Sequence, residues 1–275
     1  KMKENLKEAK DRFMVDHPEH GSFSDYRKAL RTNLVSYSEY MYQYEFWRLN
    51  DIERLAYISR LEMRLFYERI VPKRMAHFFW NKVDFLTLFS PYIHRRWFRA
   101  DAVSFAQFCD FNNCADCIAK PIEGALGLGV FKIAKKSQNI ESLYEKCVSN
   151  HLLIEECISN EPQIAQFHPN SLNTIRVTSV FGEVLGAFIR FGRRDSVVDN
   201  AHAGGIFAQI DPETGIIVSN GINTDGNEYE MHPDTHIRIK GFKIPQWDNV
   251  LKVCNSAHKI VPAMPVIGWD VCINS

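Results

Sequence analysis

The feature that most constrains the fold is a change of periodicity along the chain. From Lys1 to about Lys73 the sequence is dense in charge and aromatic rings, has no Gly or Pro between Ser22 and Val71, and repeats apolar residues at steps of mostly three or four. Leu49, Ile52, Leu55, Ala56, Ile58, Leu61 and Leu65 trace such a stripe with Asp, Glu and Arg between them, which predicts helices. The aromatic residues Tyr37, Tyr40, Tyr42, Tyr44, Phe46 and Trp47 are read as core packing rather than as a partner surface. After about Asp101, short runs rich in Val, Ile and Phe alternate with Gly, Asn and Asp turns. Strands are predicted at 117–120, 129–134, 151–155, 174–181, 184–191, 205–210 and 266–273. Helices are predicted near 139–149, capped by Asn139 with Glu141 and Glu145 in the first turns, and at 247–261. The fold class is α+β, with an antiparallel meander across Thr174 to Ile210. The division is a helical N-terminal region, 1–75, followed by an α+β domain, 76–275.

A chain of 275 residues is long enough for one large or two medium domains. Its 33 basic and 33 acidic residues give zero formal net charge, so no global attraction to nucleic acid or to a membrane surface is implied. No run of about 18 apolar residues occurs, and the charged start has no secretory-type apolar stretch, so the chain reads as cytoplasmic. Seven cysteines fit reduced thiols better than a disulfide framework. Cys109, Cys114 and Cys117 match the first three ligands of a plant-type iron–sulfur site. Cys117 sits three residues before a strand-like Lys-Pro segment, however, so incidental thiols are the preferred account.

Four segments carry chemistry. The first runs from Lys120 through Gly124, Gly127 and Gly129 to Lys132, a glycine-rich turn between two strand-like runs. Its backbone N–H groups can approach an anion closely while the lysines supply countercharge; the same pattern also fits a plain turn. It is neither a P-loop nor a dinucleotide fingerprint, since both of those feed a helix. The second, from Leu152 to Ile158, is an apolar strand ending in Glu155 and Glu156, whose backbone and acids can meet an adenine edge or simply face water. The third places Thr174 and Arg176 on one face of a strand, with Arg190 on the next strand and Asp199, Asn200, His202 and Gly204-Gly205 after it. Two arginines there suit a phosphate or a carboxylate, or else a solvated surface. The fourth is Asp270, one carboxylate in an otherwise apolar strand. A lone buried acid is costly unless paired or metal-bound, which makes it a magnesium candidate.

Taken in order, these segments resemble the ATP-grasp superfamily, and specifically its sugar-transfer-associated branch, from about Lys82 to the C-terminus. Asn81-Lys82-Val83 is similar to the family's first lysine segment, Lys120-Pro121 with its glycines to the second, and Glu155-Glu156 to the adenine hinge. The run Arg176, Arg190, Asn200, Gly204-Gly205 is also similar to that of ribosomal-protein glutamate ligases, while Asp199 to Gly205, His232-Pro233-Asp234-Thr235 and Pro245-Gln246-Trp247 point to the sugar-associated branch. The resemblance implies an ATP-grasp fold of two α+β subdomains clasping ATP, here preceded by helices instead of the usual open α/β domain. It implies ATP and Mg2+ as cofactors. The nucleotide-binding set would be Lys82, Lys120, Gly124, Gly127, Gly129, Glu155, Glu156, Ile158, Asn200 and His202, with Arg176 and Arg190 on the transferring group and Asp270 on the metal. For His202 a structural role in a turn is an equal alternative. The family's Glu-x-Asn metal strand would follow Asp270 by about a dozen residues, and the sequence stops before it, as though cut from a longer chain. The activity implied is ATP-dependent joining of a carboxylate, such as a uronic acid of a surface polysaccharide, to an amine through an acyl phosphate. The alternatives are phosphotransfer to a hydroxyl and a non-catalytic nucleotide-binding protein. A glycosyltransferase is the partner such a branch suggests.

Overall fold

The computed structural model describes residues 7, 10–13, 21–124, 128–196, 199 and 204–274, and the chain divides into two compact units, Lys1–Val71 and Pro72–Ser275. Among the described residues no helix is long and apolar enough to cross a membrane.

In the first unit, α1 (Phe23–Thr32) begins where the Ser22 side chain accepts from the Asp25 N–H, and it buries Tyr26 and Ala29. These pack with Phe13, Tyr40 and Phe46 into an aromatic core in which the Tyr26 and Tyr40 rings meet edge-on at 5.3 Å, while Tyr42 stays exposed. One ion pair is set into this core. Arg54 donates to both Asp25 oxygens, at 3.0 and 2.6 Å, the Tyr40 hydroxyl donates to the same carboxylate at 2.6 Å, and Arg54 also donates to the Phe46 carbonyl.

The apolar stripe from Leu49 to Leu65 does not form one continuous buried face. It is shared between α2 (Asp51–Arg54) and α3 (Arg60–Ile70), and Ile52 and Leu55 are 80% and 78% exposed. The cause is local: Asn50 with Glu53, and Ser59 with Glu62, each form a capping box, so the helix restarts at Ser59. The buried Glu39 reinforces that restart by accepting from the Arg60 N–H at 2.6 Å and from the Ser36 N–H at 2.7 Å.

The second unit opens with α4 (Lys73–Trp80) and α5 (Lys82–Leu88), so helix continues past the boundary expected at 75. Asn81 ends one helix and caps the next, its side chain accepting from the Val83 and Asp84 N–H groups. Two antiparallel sheets follow. The first has the order β1-β4-β2-β3, formed by β1 (Trp97–Arg99), β2 (Cys117–Pro121), β3 (Phe131–Ile133) and β4 (Leu152–Glu156). Helices α6 (Phe105–Cys114) and α7 (Ile140–Ser149) bury Phe108, Phe111 and Cys147 against Ala119, Ile133 and Ile154 of this sheet. Asn139 precedes α7 but makes no side-chain cap bond, contrary to expectation; acidic Glu141 remains in the first turn.

The second sheet has the order β10-β5-β6-β7-β8-β9. It is formed by β5 (Ile175–Val180), β6 (Glu183–Phe191), β7 (Ile206–Ile210), β8 (Gly221–Ile222), β9 (Glu228–Tyr229) and β10 (Val266–Val271). The meander is antiparallel throughout, and alternation sorts its residues. Ile175, Val177, Ile189 and Phe191 are buried on one face, leaving Arg176, Phe188 and Arg190 on the other. The short α8 (Pro162–Ala165) precedes β5, and α9 (Trp247–His258) packs against β5, β6 and β10. Helix α5 links the sheets: Phe89 just beyond its end stacks edge-on against Trp269 of β10 at 5.2 Å, while its first residue reaches the turn after β2.

Candidate functional site

The two lysines singled out in the sequence come together. Lys82, the first residue of α5, donates its backbone N–H to the Ile122 carbonyl at 3.0 Å and its ammonium to the Gly124 carbonyl at 3.0 Å. Burial first, then the charge of Lys120, pushes the Lys82 pKa down. Lys120 on β2 meets Glu155 on β4 at 2.5 Å, and Arg95 takes the other Glu155 oxygen at 2.9 Å. Burial opposes ionisation of Glu155, yet the Lys120 and Arg95 charges outweigh it and hold its carboxyl below the usual glutamate range. Burial likewise lowers the Lys120 pKa, with Glu155 resisting. Lys120 and Arg95 thus share one buried carboxylate, with Lys82 near enough to feel the charges of Lys120, Glu155 and Glu123, and such a gathering of cations favours an anion.

The turn after β2 needs its glycines for conformation. Gly124 and Gly129 have φ of +113° and +73°, and a side chain on Gly129 would press on the Pro121 ring at 3.0 Å. Gly127 lies outside the described residues. At the strand end both acids are held by cations: Glu155 holds Lys120 and Arg95, and Glu156 is gripped by Arg96 at 3.1 and 3.0 Å. The Glu156 and Cys157 N–H groups donate to the Arg96 and Asp116 carbonyls, so Ile158 begins the backbone beyond the sheet's own bonding.

On the second sheet Arg176, Arg190 and Asp270 meet. Asp270 lies directly opposite Arg176 in the β10–β5 register, and its Oδ1 accepts from Arg176 Nη1 at 3.0 Å and from Arg190 Nη2 at 2.9 Å. The side chain is 46% exposed, so Asp270 is not the lone buried acid expected from its apolar strand. Gly268, two residues earlier on the same face, lets the Arg176 guanidinium lie flat across β10, since a Cβ there would stand 2.6–2.7 Å from its Nη2, Cζ and Nε atoms. Arg190 is gripped by Thr174, which in turn bonds the buried Asp199. Asn200 and His202 lie outside the described residues; Gly204 follows with φ of +84°. Thr174 itself falls just before β5 rather than within it.

The motif around Arg176 is positioned by Asn173, which is buried and fully engaged. Its side chain donates to the Ile164 and His168 carbonyls and accepts from the Gly192 N–H, and its backbone pairs reciprocally with the Asn160 amide. The Asn160 amide also contacts the Cys272 sulfur at 3.4 Å, and the Cys272 thiol, pushed up to about 12 chiefly by burial, feels the charges of both Arg95 and Asp199. The Glu155 cluster and the Arg190 cluster therefore share a neighbour. Arg95, Asp199 and Gly268 were not singled out as site residues from sequence; the only signal for Arg95 was the doublet Arg95-Arg96, which matches Glu155-Glu156 residue for residue. Cys109 is half-buried, Cys114 exposed and Cys117 buried, and among the described residues no group of three His, Cys, Asp or Glu is placed to hold a metal ion.

The scaffold is thus α+β, with two antiparallel sheets, a glycine turn that two lysines approach and a pair of arginines on one carboxylate. The model of the sugar-transfer associated ATP-grasp family matches residues 100–275, and the chain belongs to that family; its fold is the ATP-grasp fold preceded by a helical region. No curated protein matches the sequence. Among solved structures, the chain is similar to the ATP-grasp ligase PsnB complexed with minimal precursor, Mg and ADP, at 14% identity and TM-score 0.45, over 75% of this chain and 49% of that one. It is similar also to D-alanine–D-alanine ligase from Bacillus anthracis (12%, TM-score 0.41, 71% and 53%) and to the D-cycloserine synthetase DcsG (11%, TM-score 0.40, 78% and 70%). The chain spans about half the length of PsnB and of the D-alanine–D-alanine ligase.

Proposed function

We propose that this chain carries the nucleotide and phosphoryl-transfer centre of an ATP-dependent ligase that joins a sugar acid to an amine. The observation that carries this reading is the gathering of Lys120 and Arg95 on the buried Glu155, with Lys82 seated on the adjoining glycine turn, in a chain of this family. Lys82 and Lys120 neutralise the α- and β-phosphates, and turn amides between Gly124 and Gly129 cover the β- and γ-phosphates. Backbone groups from Glu155 to Ile158 meet the adenine edge, and Asn200 and His202 orient ribose or substrate. Arg176 and Arg190 hold the transferring phosphoryl group, where charge develops. The substrate carboxylate oxygen takes the γ-phosphoryl group of ATP and ADP leaves; the amine then attacks the acyl carbon, phosphate departs and the amine loses a proton. Catalysis is then chiefly positioning and charge neutralisation.

For magnesium, the donor set is a partial fit. Both arginine contacts fall on Asp270 Oδ1, which leaves Oδ2 as one hard oxygen ligand. Magnesium is commonly held by one or two carboxylates with substrate phosphates and water completing its shell, and Asp270 suits the protein's share of that arrangement. When bound, the ion neutralises charge along the phosphate chain. Nothing else in the reading depends on it.

The test is to incubate the protein with ATP, magnesium, a panel of hexuronic acids and a panel of primary amines, and to follow phosphate and product mass. The expected result is phosphate released in step with a product whose mass is acid plus amine minus water, only when both are present. Phosphate retained on the acceptor would instead establish transfer to a hydroxyl, and no turnover of nucleotide with any pair would leave a binding protein.

A further inference from the structure

Thr174 directs every polar group it owns at two residues. Its N–H donates to Asp199 Oδ2 at 2.9 Å, and its carbonyl accepts from the Arg190 N–H at 2.8 Å. Its hydroxyl accepts from Arg190 Nε at 3.0 Å and Nη2 at 2.6 Å, and donates to the same Asp199 oxygen. The polarity of this chain of bonds is fixed by chemistry. A guanidinium has only donors, so the hydroxyl can only accept from it, and a hydroxyl has one proton and two lone pairs. Asp199 accepts the hydroxyl's hydrogen bond, and both lone pairs are thereby turned onto Arg190.

Asp199 is buried, and its Oδ2 also stands 3.5 Å from Arg190 Nε. Arg190 Nη2 is shared with Asp270, so the contacts of the fork gather on Nε and Nη2, along one edge. The opposite edge, carrying Nη1, is set by that grip. We propose that Asp199, acting through Thr174, is the positioning residue for Arg190, fixing the guanidinium so that its Nη1 edge addresses the transferring phosphoryl group. The phosphoryl role of Arg190 rests on the function proposed above; its orientation by Thr174 and Asp199 does not.

Two measurements on the full chain separate these parts. The first is hydrogen exchange of the Arg190 Nε–H, followed by 15N NMR of the arginine side chains and assigned by its loss in Arg190→Lys. A bond to an oriented hydroxyl protects that proton, so exchange is expected to be slow in the parent and in Thr174→Ser, and on the order of tenfold faster in Thr174→Val and Asp199→Asn. The Arg176 signal serves as the internal control for folding and stays unchanged. Equal exchange in parent, Thr174→Val and Asp199→Asn would overturn the positioning role. The second is calorimetric binding of inorganic phosphate to the ADP-loaded protein. Thr174→Val, Asp199→Asn and Arg190→Gln are each expected to weaken phosphate by about tenfold, with ADP affinity unchanged and Thr174→Ser restoring it. If Arg190→Gln weakens phosphate but Thr174→Val and Asp199→Asn do not, the positioning role fails while the phosphoryl reading stands. If exchange behaves as expected but no variant moves phosphate affinity, the positioning role stands and the phosphoryl reading fails.

Discussion

The two charged clusters of the second unit handle their ions in opposite ways. Around Glu155 the side chains are enclosed, with Glu155 7% and Lys120 19% exposed, and cations outnumber the carboxylate. Around Asp270 only the outer pair is open, Arg176 at 37% and Asp270 at 46% exposed, while Arg190 and Asp199 behind it are enclosed, and the two arginines are balanced by two carboxylates. A buried surplus of positive charge is costly to maintain and is suited to one kind of occupant, a polyanion. In the open pair of Arg176 and Asp270, water can replace either partner at low cost.

The sharpest break in this comparison is expected from matched deletions. Glu155→Ala leaves Lys120 and Arg95 buried without their anion and is expected to cost about 3–5 kcal/mol in denaturant unfolding. Asp270→Ala, at a half-exposed pair, is expected to cost less than about 1 kcal/mol. Similar losses in both would remove the distinction. Acid titration sharpens it further. Because the folded Glu155 carboxyl is held below the usual 4.5, its contribution to stability is complete above that pH and is lost as pH falls through the folded value. The parent is therefore expected to lose stability below pH 4.5 more steeply than Glu155→Gln, and parallel curves would contradict this.

A subtler effect is expected from Gly268→Ala. The clash falls on the mobile end of Arg176, so unfolding stability is expected to change by less than about 1 kcal/mol while the Arg176 side-chain NMR signal shifts as its guanidinium leaves β10. An unmoved signal would show that the glycine has no role in placing the arginine. The smallest effect is expected at Leu55→Ser in the first unit, where exposure of 78% predicts a change within about 0.5 kcal/mol despite the residue's place in the apolar stripe.

What the sequence made legible follows from how far apart the interacting residues are. Strand alternation is local, so the common face of Thr174 and Arg176, and the place of Arg190 on the next strand, could be read from the order of residues, while the register that brings Arg190 to that face could not. The Lys120 turn and the Glu155 strand end were likewise visible as local patterns. The pairing of Arg95 with Glu155 depends on β1 and β4 lying side by side, with Trp97 opposite Glu155, and no short-range pattern encodes that register. Asp199 was visible as part of the run to Gly205, but its bond to Thr174 spans 25 residues and no local pattern encodes it. In the first unit the stripe from Leu49 to Leu65 misled because periodicity ignores caps, and Ser59 with Glu62 outweighs three more turns of helical spacing.

The most direct test of the account is calorimetry of ATP with magnesium against the parent protein and Lys120→Met, with thermal unfolding as the check that the variant is folded. The account predicts binding in the micromolar range that weakens by at least about tenfold in the variant. Absence of ATP binding by the folded parent, or equal affinity in the two proteins, would contradict it.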